Sequence, residues 1–102
     1  MMYPLLACLL LAWDEPRVRP EPLGMFDARL IPEASGVARS RTRPGVFWVH
    51  NDSGNPPALF AIGRDGRILR TFGLAAPNLD WEDAAVDDRG RVYVGDIGDN
   101  KG

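Results

Sequence analysis

The chain has 102 residues, 45% hydrophobic and 25% charged, with a formal net charge of −2; this makes one small globular domain at most and excludes wholesale disorder and collagen-like sequence. A mildly acidic chain lacks the basic footprint of a nucleic-acid binder. Its single cysteine forms neither an intramolecular disulfide nor a cysteine-based zinc site.

In chain order, residues 1–13 are an apolar segment. The run from Leu5 to Trp13 is too short for a bilayer, which needs about 20 residues, so no stable membrane span is expected. Its length suits the core of an export signal, and that reading places the protein outside the cytoplasm, in the periplasm or secreted. No Lys or Arg precedes it, which leaves open a plain apolar tail. Residues 14–29 read as a proline-rich linker, because the prolines in DEPRVRPEPLG (14–24) forbid both helix and central strand.

From residue 30 onward, short apolar runs alternate with turn chemistry. Gly36-Val37-Ala38 is followed by a Pro44-Gly45 turn and Val46-Phe47-Trp48-Val49, and then by a polar loop from His50 to Pro57. Ala58-Leu59-Phe60-Ala61-Ile62 and Ile68-Leu69-Arg70-Thr71-Phe72 flank Asp65-Gly66, a strong hairpin signal. The pattern then restarts. Ala84-Ala85-Val86, a turn at Asp87-Asp88-Arg89-Gly90, and Val92-Tyr93-Val94 repeat the first two runs at an offset of 45–47 residues. Helix propensity over Trp81–Val86 competes with this reading, but the repeat favours a strand.

A period of about 40–50 residues with four antiparallel strands per unit is the signature of a β-propeller blade. The expected fold is therefore all-β: antiparallel four-stranded meander repeats, one blade over 30–77 and the start of the next over 78–102. Closure takes about four blades at the least, so one and a half blades read as a β-propeller fragment. The remaining blades are its expected partner.

In such a meander, the loop after the second strand and the connection into the next unit lie at one end. That end collects Asn51, Asp52, Asp80, Glu82, Asp83, Asp96, Asp99 and Asn100, while Arg41, Arg43, Arg64, Asp65, Asp88 and Arg89 gather at the other. Residues 71–102 hold seven acids against three bases. Hard oxygen donors without cysteine suit Ca²⁺, and Asp80, Glu82, Asp83, Asp96 and Asp99 are the candidate ligands. The plain alternative is that these residues only form turns. His50, the one histidine, is a weak candidate for a general base beside a metal. Ser35 and Ser53 lack a nucleophile elbow.

Glu33-Ala34-Ser35-Gly36-Val37-Ala38, Phe47-Trp48-Val49-His50-Asn51-Asp52-Ser53-Gly54, Asp80-Trp81-Glu82-Asp83-Ala84-Ala85-Val86 and Val94-Gly95-Asp96-Ile97-Gly98-Asp99-Asn100 together resemble the opening blades of a family of secreted bacterial β-propellers of the phytase-like, esterase-like or SdiA-regulated type. The resemblance covers about residues 30–102. It implies a six-bladed or similar ring, export and calcium on one face, without settling an activity. Two functions follow as expectations: an exported calcium-binding propeller with a binding or scaffolding role, or part of a calcium-dependent hydrolase of esters, lactones or phosphoesters.

Overall fold

The computed structural model describes residues 18–98; the apolar segment 1–13, Asp99 and Asn100 lie outside the described residues. Six strands follow one another: β1 (Ala34–Arg39), β2 (Phe47–Asn51), β3 (Ala58–Ile62), β4 (Ile68–Gly73), β5 (Trp81–Val86) and β6 (Val92–Asp96). They form an antiparallel four-stranded sheet in the order β1-β2-β3-β4 and a two-stranded sheet, β5-β6. The all-β meander expected from the alternating runs is therefore present, and Trp81–Val86 is a strand.

Each hairpin is closed by the chemistry its turn requires. Between β3 and β4, Gly66 adopts φ 85°, a left-handed conformation that glycine enters without steric cost. The Asp65 carboxylate accepts the Arg67 N–H at 3.0 Å. Between β5 and β6, Asp87 accepts the N–H groups of Arg89 and Arg91, both at 2.9 Å, and Gly90 supplies φ 81°. These bonds, with those from the Arg91 and Tyr93 side chains, outweigh the opposing effect of burial and lower the Asp87 pKa to about 2.

The pleat sends alternate residues of the first sheet to opposite faces. One face carries Val49, Phe60 and Ile62, which pack with Ile31 into a buried core flanked by Phe47, Ala58 and Ile68. Burying each large apolar side chain here contributes about 1.5–3 kcal/mol. The described part of the proline-rich stretch forms neither strand nor helix. It meets the β3–β4 turn, with Gly24 against the Asp65 backbone and Met25 against Gly66. The opposite face carries Trp48, His50, Leu59, Ala61 and Phe72, and β5 packs against its β1 side.

The two sheets repeat in register. Ala34 pairs with Asn51 and Arg39 with Phe47; Trp81 pairs with Asp96 and Val86 with Val92. The first strands correspond at an offset of 47 and the second strands at 45. Both hairpins also carry a bulge at the same place. Ser35 lies unopposed between Ala34 and Gly36, and Glu82 lies unopposed between Trp81 and Asp83. A clamp recurs as well: Asn51 Oδ1 accepts the Glu33 N–H at 3.1 Å, and Asp96 Oδ1 accepts the Asp80 N–H at 2.8 Å. Such agreement extends well beyond apolar spacing.

A Cβ at Gly66 would run into the Met25 carbonyl, and the left-handed backbone adds about 1–2 kcal/mol for any L side chain. Gly66→Ala is therefore expected to lower the urea midpoint by at least that equivalent. Gly73→Ala, where a Cβ meets nothing within 4 Å, should leave it unchanged or raise it. Equal midpoints for the two variants would show that the turn does not hold the 24–26 segment.

Candidate metal centre

Three carboxylates meet where the two sheets join. Asp52 follows β2, Asp80 precedes β5, and Glu82 is the bulge residue of β5; each offers an oxygen within 4.8 Å of the others. Two oxygens bound to one Ca²⁺ at about 2.3–2.6 Å are at most about 5 Å apart, so this spacing suits a single ion.

The backbone supports this convergence. Asn78 Nδ2 donates to the carbonyls of Asn51 and Asp52, both at 3.0 Å, and its Oδ1 accepts the Trp81 N–H at 3.1 Å. One side chain thus ties the end of β2 to the start of β5. Ser35 Oγ adds a second tie, donating to the Trp81 carbonyl at 2.8 Å. The bulge frees Glu82 from the alternation of its strand, as bulges do when they re-aim a side chain.

The electrostatics are those of crowded anions. Asp80 is 5% exposed, and its Oδ1 has no hydrogen-bond partner. Gly98 packs directly on this carboxylate, leaving no room for a Cβ. Two ionised carboxylates have no proton to share. A proton on Glu82 supplies a hydrogen bond to Asp80, and this, reinforced by desolvation and by the charges of Asp80 and Asp52, raises the Glu82 pKa above 4.5. A divalent cation satisfies the same oxygens without protonation.

The other candidates lie apart from this group. Asp96 clamps the backbone, accepting the N–H groups of Leu79 at 3.4 Å and Asp80 at 2.8 Å. Asp83 accepts the N–H of its neighbour Ala84 at 2.8 Å. The Asn51 amide is engaged by Leu30 and Glu33, while Asp99 and Asn100 fall outside the described residues. Asn78 went unnoticed in the sequence; its signal is an Asn three residues ahead of the first strand N–H, a local cap for an exposed donor.

His50 is fully buried. Its Nδ1 lies 3.1 Å from the Asn51 carbonyl and 3.2 Å from Ser35 Oγ. A carbonyl only accepts, so in the neutral ring Nδ1 carries the proton and Nε2 is bare. That nitrogen faces Gly36 and has no partner, while the ring stands edge-on to Trp81 at 5.8 Å. This geometry fixes how the sheets meet and gives the ring no contact with solvent.

At the opposite end, the Arg41 guanidinium pairs with Asp88 at 2.5 Å and Thr42 packs on Gly90. The two turn sets are thus brought together there, as the meander geometry requires. No helix among the described residues is long and apolar enough to cross a membrane. Comparison with family models, curated proteins and solved structures found no match to this chain.

Without divalent cations, Glu82 holds its proton more tightly when folded than at its ordinary value of 4.5. Its contribution to stability is complete below 4.5 and is lost as pH rises through the folded value. Asp87 has the opposite sign, losing its contribution as pH falls from 3.8 toward about 2. In chelator, Glu82→Gln should flatten the fall in thermal midpoint between about pH 4 and pH 7 relative to the parent chain. Parallel curves would mean that Glu82 does not feel Asp80 and Asp52.

Proposed function

We propose that residues 30–102 comprise one and a half blades of an exported calcium-binding β-propeller with a binding or scaffolding role. Asp52, Asp80 and Glu82 hold the ion where one unit meets the next. The observation that carries this reading is the buried Asp80 carboxylate, which has one partnerless oxygen and is grouped with two further acids. Removing a carboxylate from water costs several kcal/mol unless a counter-charge or donors replace the water. A hard cation is the counter-charge suited to an all-oxygen donor set.

The repeated register, paired bulges and repeated clamp support consecutive units of one architecture. The packing of β5 on β1 supports their arrangement as neighbouring blades. A structural role for the ion is favoured over hydrolysis because the only histidine is sealed between the sheets. The export part of the reading rests on the apolar run Leu5–Trp13 and suits calcium sites of extracellular modules, which work at about 10⁻⁴–10⁻³ M.

An ion that binds only the folded state stabilises it by about 2.7 kcal/mol at a concentration 100 times its Kd. Ca²⁺ is therefore expected to raise the thermal midpoint of the full chain by several degrees, reversibly on chelation. Asp80→Asn and Asp52→Asn should abolish the increment. Asp83→Asn, at a carboxylate outside the group, should keep it. A rise that survives Asp80→Asn, or no rise at all, would reject the ion site.

A further inference from the structure

Beside the junction, the outer part of the first sheet stays uncovered. A groove of about 390 Å³ opens there, floored by Trp48, Ala61 and Phe72 and rimmed by Arg43, Arg70 and Arg89. The floor is organised: the Trp48 and Phe72 rings lie 5.6 Å apart across the strands, and the Arg70 guanidinium stacks 5.1 Å above Phe72. Among the described residues, none of these three arginines forms a salt bridge.

The groove wall includes Arg89 and Gly90, in the turn that leads into β6, and the outer edge of that strand is unpaired. Among the described residues, β6 pairs with β5 alone. Asp87 N–H donates to the Arg91 carbonyl at 3.0 Å, and alternation along an antiparallel ladder then turns the N–H and C=O groups of Val92 and Val94 toward the open side. The side chains of Val92 and Val94 are half-buried, while Tyr93 between them is exposed. They correspond to Phe47 and Val49, whose partners on β3 are Ile62 and Phe60. A strand added to β6 in the same register would direct two side chains into the groove, opposite Val92 and Val94.

We infer that the groove and the free edge of β6 together receive one added β-strand, the third of the second unit. Its inward face carries apolar residues opposite Val94 and Val92, followed at the turn end by a carboxylate that meets Arg43, Arg70 and Arg89. The turn after β5 already lines the groove through Arg89 and Gly90, and the surplus of positive charge at the rim sets the sign of the partner. This deepens the blade reading above by naming the chemistry of the strand that completes the second unit. It does not depend on the ion.

The test offers the strand as a peptide. Acetyl-TTFTVTE-amide, whose Glu falls at the turn end, is titrated into the full chain in the presence of chelator and compared with acetyl-TTFTVTK-amide. The acidic peptide is expected to slow amide exchange at Val92 and Val94 but not at Tyr93. It should bind roughly tenfold or more tightly than the basic one, since like charges brought together oppose association. The double variant Arg43→Glu, Arg89→Glu, with its fold checked by circular dichroism, should reverse the preference. Equal binding of both peptides, or no added protection at Val92 and Val94, would overturn the inference. Protection of those two amides by self-association without peptide would overturn it too, assigning the edge to a second copy. Because chelator is present throughout, failure here leaves the calcium reading intact, and a failed calcium titration leaves this one intact.

Discussion

A carboxylate held away from water with a bare oxygen must find a positive partner or a proton, and Asp80 is in that position. Its N–H is held by Asp96, its carbonyl accepts the Gly98 N–H, and Gly98 packs against its carboxyl. The main chain of Asp80 is therefore held at both its N–H and its carbonyl, with Gly98 close against the carboxylate. Asp52 and Glu82 arrive from different elements, and their charges add to the demand. Most of what distinguishes this junction follows from that demand, including the raised pKa of Glu82.

Two hairpins of the same construction make the junction. The clamp formed by Asn51 in the first hairpin is formed by Asp96 in the second, so a carboxamide and a carboxylate do one job: each caps the N–H ahead of a first strand. The bulge residue changes too, from Ser35 to Glu82. Ser35 uses its hydroxyl to bond the neighbouring sheet; Glu82 contributes charge to the carboxylate group. The same backbone frame thus carries sheet-to-sheet adhesion in one copy and electrostatics in the other. His50 joins the two, bonded to the first hairpin and standing edge-on to Trp81 of the second.

The two ends of the molecule differ in how they treat charge. At the junction, acids converge around a buried oxygen, where screening is weak. At the turn end, Arg41 and Asp88 pair in solvent, an arrangement worth little to stability. The groove combines an apolar floor with a charged rim, as interaction surfaces commonly do.

The sequence was most legible where a local rule was enough. Asp65-Gly66 marked its hairpin, the continuous apolar run Ala58–Ile62 marked a strand covered on both faces, and the 45–47 residue offset placed β5 and β6. Ile31 escaped notice because Leu30-Ile31, followed at once by Pro32, is too short a run to show the periodicity that announces burial. At the site, sequence reasoning gathered Asp52, Asp80 and Glu82 at one end of the meander, and the three carboxylates do lie together. It did not separate the clustered carboxylates from those that cap backbone N–H groups among Asp80, Glu82, Asp83 and Asp96. That division is made by a single bulge, which leaves Glu82 unopposed, and by hydrogen bonds that occupy Asp96 and Asp83 with backbone donors. Strand and turn are decided by nearest neighbours, which a sequence displays. Which oxygens share a 4.8 Å space is decided by elements 28 to 30 residues apart and by the pairing register between them, which only the folded chain supplies.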